Sequence, residues 1–196
     1  MKRLILTLTI AVAAVTFSKA QNSYVDFAYS IGFGTGDMGD FIKKASFRGI
    51  TFDYRYAVQP NVAIGFNLGW NTFYEEKGSD SYTVDNATLT GKQYRYSNNV
   101  PMLATGTYLF SPDEFLCPYV ALGVGTMYAR RNTDMNLYTL EQEGWPFVLQ
   151  PEVGLRLQAA DNVGVLVNLK YLNGFKAGDF DSTQSYFTLN VGFAFH

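Results

Sequence analysis

Apolar side chains recur at every second position in eight separate runs between residue 23 and Phe195, and no helical period of useful length competes with them. Period two is the signature of a strand with two unlike faces. In the first run, about 23–34, Val25, Phe27, Tyr29, Ile31 and Phe33 oppose Asp26, Ala28, Ser30, Gly32 and Gly34. The second, about 47–58, sets Ile50, Phe52, Tyr54, Tyr56 and Val58 against Gly49, Thr51, Asp53 and Arg55. The third sets Val62, Ile64, Phe66, Leu68 and Trp70 against Ala63, Gly65, Asn67, Gly69 and Asn71. The others run over about 92–110, 118–129, 147–158, 163–172 and 185–195. Pro101 interrupts the fourth, whose register there is left open; Tyr94, Tyr96, Val100, Met102, Ala104 and Tyr108 are assigned to its apolar side.

Eight strands of about ten to thirteen residues cross a bilayer at a tilt, and an even number closes an antiparallel barrel. The expected fold is therefore all-β, an eight-stranded antiparallel up-and-down transmembrane β-barrel. A soluble barrel would place Lys and Glu outside and apolar groups inside. Here the non-apolar face is small and sparsely charged, carrying Gly32, Gly34, Gly49, Gly65, Gly69, Gly123, Gly125, Gly154, Gly164 and Gly192. The apolar face is a band of Val, Ile, Leu and Phe, with Tyr and Trp toward strand ends as membrane interfaces favour.

Connections alternate as well. Those at about 35–46, 74–91, 130–146 and 173–184 read as long polar external loops, while 59–61, 111–117 and 159–162 are short. The chain begins MKRLILTLTIAVAAVTFSKAQ, with Lys2 and Arg3, an apolar run and small residues at Ser18 and Ala20. This reads as a signal peptide over 1–20, leaving 21–196 as the barrel domain. The full chain has 15 basic and 17 acidic residues; without Lys2, Arg3 and Lys19 the balance is 12 to 17, net −5. Nucleic acid is excluded as a partner on that charge. Cys117 is the single cysteine and reads as a turn or core residue.

With the leader, the strand count, the loop asymmetry and the terminal VGFAFH, the chain resembles the small eight-stranded outer-membrane barrels of the OmpA/OmpX type, and more loosely the outer-membrane β-barrel domain proteins of Bacteroidetes. The resemblance covers essentially all of residues 21–196. It implies a Gram-negative outer membrane, outer-membrane lipid and lipopolysaccharide as surroundings, and handling by the barrel-assembly machinery. Such barrels end on an aromatic residue that the machinery reads; Phe193 and Phe195 fit that signal, although His196 displaces the aromatic from the last position.

The stretch GTGDMG, residues 34–39, follows the G-x-G-x-x-G pattern of dinucleotide-binding turns, with Asp53 downstream. Only DFIKKAS separates it from the next alternating run, too little for the crossover helix that would hold a pyrophosphate. It reads as part of a flexible external loop that tolerates glycine replacement. Barrel enzymes that act on lipid A or peptides use a histidine at the outer rim with Ser, Asp or Glu partners, whereas the only histidine here is His196. No catalytic, metal or cofactor residues are assigned. The carboxylates Asp37, Asp40, Glu75, Glu76, Asp80, Asp85, Glu141, Glu143, Asp179 and Asp181 read as a solvated acidic surface, with a weak divalent-cation bridge to lipopolysaccharide as the alternative.

Six charged residues fall on the inward faces: Asp26, Asp53 and Glu152 balance Arg55, Arg156 and Lys170. Buried charges require partners, so an ion-paired lumen is expected, acting as a plug. The functional expectation is a non-enzymatic barrel displaying loops to an unknown extracellular partner. The alternatives are a narrow channel for small solutes or ions, and a lipid-modifying enzyme.

Overall fold

In the computed structural model, residues 23–84, 87–112, 114–135, 139–160 and 162–195 are described. The leader expected over 1–20, Asp85 and His196 lie outside them. The elements are β1 (Ser23–Thr35), the short helix α1 (Gly36–Phe41), β2 (Gly49–Gln59), β3 (Val62–Val84) and β4 (Ala87–Leu109). They continue with β5 (Leu116–Asp134), β6 (Thr139–Gly144), β7 (Phe147–Ala160), β8 (Val163–Gly174) and β9 (Gln184–Phe195).

All pairings between these strands are antiparallel. β1 pairs with β2 and with β9, β4 pairs with β5, and the ring runs β1, β2, β3, β4, β5, β7, β8, β9 back to β1. β6 is not a ninth stave. It pairs with Ala129–Asp134 of β5, and β7 takes over the same edge along Leu116–Thr126. The handover lies at Trp145 and Pro146, where the Pro146 carbonyl accepts from Met127 N at 3.0 Å and from Thr126 Oγ1 at 3.1 Å. The closed barrel therefore has eight staves.

The two faces separate as period two requires. Phe27, Phe66, Leu122, Val153, Leu169, Val191 and Phe193 stand exposed on the outside, while Asp53, Asn67, Leu166 and Asn190 are buried inside. An apolar surface continuous around the ring has no place in water; it is the lipid-facing band. Tyr128 against Trp145, Phe147 against Phe175 and Tyr171 against Phe187 stack near the outer end, and Tyr108 against Phe110 near the opposite end.

Several expectations are corrected. The segment 74–91 is not a loop: β3 and β4 continue outward as a paired ribbon, with Tyr74↔Tyr96, Glu76↔Tyr94 and Val84↔Ala87 in register. Likewise most of 130–146 is strand, with Thr133↔Leu140. Once water bathes both faces the alternation disappears, but backbone pairing does not need it. Pro101 does not break the fourth strand; it pairs with Met127, faces the lumen and packs where Gly69 lacks a side chain. The second strand starts at Gly49 rather than 47.

The glycine stretch is also corrected. GDMGDF forms α1, and the chain folds back over the barrel mouth with Met38 and Ile42 fully buried. Gly36 adopts φ +54°, a conformation costly for other residues, and a Cβ on Gly39 would lie 2.8 Å from the Gly34 carbonyl oxygen. Gly36→Ala with Gly39→Ala should therefore loosen this segment, read as protease cleavage within 36–46, while the heat-shifted gel mobility of the barrel persists. Equal protease resistance in the variant and the wild type would show that the turn is not constrained.

Candidate functional site: the lumen and its outer mouth

The inward charges come from four staves. β1 supplies Asp26, β2 supplies Asp53 and Arg55, β7 supplies Glu152 and Arg156, and β8 supplies Lys170. Their inward direction follows from parity: each sits an even number of residues from the small residues of its own strand. The structure brings all six together in one network inside the lumen.

Arg55 is the hub. Its Nη1 donates to Asp26, its Nη2 donates to Glu152 Oε1 at 2.9 Å and lies 3.4 Å from Asp53 Oδ1, and its Nε donates to Thr107 Oγ1 at 3.1 Å. Lys170 donates to Asp53 Oδ2 at 2.7 Å and to Thr51 Oγ1 at 3.2 Å, with Glu152 Oε2 3.7 Å away. Arg156 Nη2 donates to both Asp26 oxygens at 2.6 Å. Three carboxylates therefore neutralise three cations, and none of the six side chains is more than 9% exposed.

Neutral residues complete the network. Tyr119 OH donates to Glu152 Oε1 at 2.6 Å, Asn168 donates to the same oxygen at 2.9 Å, and Asn67 donates to Asp53 Oδ1 at 3.0 Å. The Tyr119 ring lies under the Arg55 guanidinium at 5.0 Å and fills the space left by Gly154. Sequence reasoning missed Tyr119 as a member, although its inward parity on β5 was available. Asn67 and Asn168 were placed on the inward face without a role.

One apolar cluster interleaves with the charges, Cys117 and Leu166 being register neighbours of Arg156 and Ala194 of Asp26, and a second lies toward the mouth. Ala28, Leu109, Cys117, Leu166 and Ala194 pack with Tyr119 around the charges. Toward the outside, Phe73, Leu103, Met127, Val148, Leu172 and Tyr186 pack with Met38, Ile42 and Phe180 from the connecting segments. Between the charges and the outer cluster, Ser30 Oγ, Thr105 Oγ1 and the Gln150 amide are buried with no hydrogen-bond partner in the protein; such groups are ordinarily met by internal water.

At the mouth, α1 is pinned from three sides. Arg95 Nη1 donates to the Phe41 carbonyl at 3.0 Å, Asp37 accepts from Thr183 N at 3.2 Å, and Gly32 and Ser46 exchange backbone hydrogen bonds at 2.8 Å. The external carboxylates are mostly engaged singly. Glu75 accepts from Lys43 N at 2.7 Å, Glu76 pairs with Lys92 at 2.8 Å, Glu141 pairs with Arg130 at 2.7 Å, and Glu143 accepts from Tyr128 OH at 3.2 Å. Asp40 and Asp181 are exposed. Among the described residues no three His, Cys, Asp or Glu side chains gather as metal ligands. Phe193 and Phe195 lie on the outer face of β9, in register with Phe27 and Val25 of β1.

A closed ring of eight antiparallel strands, apolar outside and charged within, is a transmembrane barrel of the outer-membrane class. The chain belongs to the outer membrane protein beta-barrel domain family, whose model matches residues 4–195, and its location is the cell outer membrane. No curated protein sequence matches it. Among solved structures, the outer membrane protein OprG from Pseudomonas aeruginosa aligns with a TM-score of 0.57 at 11% identity, covering 90% of this chain and 95% of that one. Neisserial surface protein A aligns at 0.51 and 13%, covering 88% and 94%. The outer membrane protease OmpT from Escherichia coli aligns at 0.51 and 7%, covering 90% and 97%. At such identities the likeness is one of fold.

Proposed function

We propose that this protein is a non-enzymatic, non-conducting barrel that anchors an extracellular sheet and presents it to a partner outside the cell. The observation that carries the reading is the filled lumen, in which an ion-paired network is packed among one apolar cluster and a second apolar cluster lies toward the mouth. The outward continuation of β3, β4 and β5 supports it further, because paired strands display side chains more rigidly than loops do. The absence of chemistry in this reading rests on the sequence, in which His196 is the single histidine and no outer loop carries one.

Purified barrel in planar bilayers should show no steady conductance, and cells expressing it should leave lipid A unaltered. Cells carrying a variant that lacks residues 76–92 should lose capture of the external partner while keeping the barrel. Steady conductance in the wild type, changed only in ion selectivity by Arg156→Ala, would replace this reading with the narrow channel. Modified lipid A in extracts would replace it with an enzyme.

A further inference from the structure

The outer mouth holds a cation that its surroundings do not neutralise. Arg131 points inward near the end of β5 and is 6% exposed. Among the described residues no carboxylate lies within ion-pair distance of it. Its Nη2 reaches the Met38 thioether at 3.6 Å, a weak acceptor, and its Nε has no hydrogen-bond partner in the protein. The guanidinium lies 4.7 Å from the Phe41 ring centre and 5.4 Å from that of Phe180. Arg95 lies over the same Phe41 ring at 5.0 Å, so two like charges share one ring. Burial, opposed by Asp37 and aided by Arg95, lowers Arg131 to about 10, which leaves it charged at neutral pH.

Deeper in the lumen, Arg55, Arg156 and Lys170 each meet a carboxylate. A buried cation without one is costly, and a guanidinium with a vacant Nε offers the forked donor geometry that oxyanions take. We propose that the mouth is an oxyanion site, in which a sulfate, phosphate or carboxylate group arriving from outside the cell binds Arg131, with Arg95 adding charge. Lipid headgroups do not supply the anion, because Arg131 lies inside the wall. The neighbouring Arg130 is the one that faces outward, where it pairs with Glu141. An incoming oxyanion replaces the contact to Met38, which couples the site to α1. This inference stands apart from the proposed display of the outer sheet, since it concerns the mouth alone.

The test is a titration of the folded barrel, in phospholipid nanodiscs free of lipopolysaccharide, with sodium sulfate at constant ionic strength set by chloride. The reporter is the methyl resonance of Met38. A saturable shift is expected, weakened by about tenfold or more in Arg131→Met, the loss of a charge-assisted hydrogen bond. Arg131→Lys should retain part of the binding, and Lys92→Met at the exposed rim should leave it unchanged. Heat-shifted gel mobility confirms that each variant is folded. Inorganic phosphate and a long polyphosphate form the second arm: competition by phosphate alone assigns the site to free anions, and competition by both assigns it to anionic groups carried on larger molecules. The proposal is overturned if the shift does not saturate, or if folded Arg131→Met binds sulfate as the wild type does.

Discussion

Replacing Arg55 with methionine should lower the unfolding free energy of the detergent-solubilised barrel by about 3 to 5 kcal/mol, the usual cost of removing one member of a buried ion cluster. The side chain is fully buried and its guanidinium serves Asp26, Asp53, Glu152 and Thr107. Without it, three carboxylates remain against Arg156 and Lys170, so a net negative charge stays in a space lined by Tyr119, Leu109 and Leu166. Denaturant unfolding followed by tryptophan fluorescence would read the loss. Adding Asp26→Asn restores neutrality, so the double variant should be more stable than the sum of the two single losses predicts. A loss below about 1 kcal/mol for Arg55→Met, the range of a solvated pair, would mean that water already screens these charges.

An arginine at Val191 should cost about 2 to 4 kcal/mol, the penalty for a cation on the lipid face near the bilayer midplane. Val191 is the central outward residue of β9, flanked by Phe187 and Leu189 on one side and Phe193 and Phe195 on the other. Its register partners Tyr29 and Val167 are outward as well, so the new guanidinium would find no polar neighbour on this face. The control is Thr139→Arg on β6, exposed and beyond the Tyr128–Trp145 aromatic pair, where the same charge meets water. The two variants should differ clearly in unfolding free energy in lipid bilayers. Equal stability would place Val191 outside the hydrocarbon layer.

The membrane-crossing part of the fold was legible because lipid and lumen impose opposite demands on neighbouring residues. Val62 to Asn71 alternates without error, and its register with β2 follows. The outer ribbon was not legible, since Glu75, Glu76 and Lys77 follow one another with no apolar contrast between faces. The folded-in α1 was hidden for another reason: its burial rests on Met38, Phe41 and the following Ile42, three apolar residues in a polar segment, which is too few to define a period. At the site, parity placed all six lumen charges inward, but it could not choose partners. Which carboxylate Arg55 meets depends on stave order and stagger, and those emerge only when the ring is closed. Leu103 and Leu109 escaped notice because Pro101 made the fourth strand look broken.

The partners in the charge layer are distant along the chain: Arg55 and Glu152 are separated by 97 positions, and Asp26 and Arg156 by 130. Asp26 and Arg55 can meet within the first two staves, but Glu152 and Arg156 reach Arg55 and Asp26 only across the closed ring, so the layer is completed late, when the first and last strands meet. A half-built sheet leaves Arg156 without its carboxylate and has reason to stay beside water. Once the seam shuts, the order of events reverses its meaning. Contacts made last in assembly are the ones whose loss must precede opening, and interactions absent from the transition state for folding slow the unfolding rate. The layer that fills the lumen therefore also works as a latch in time, committing the chain to the membrane only after every stave is in place.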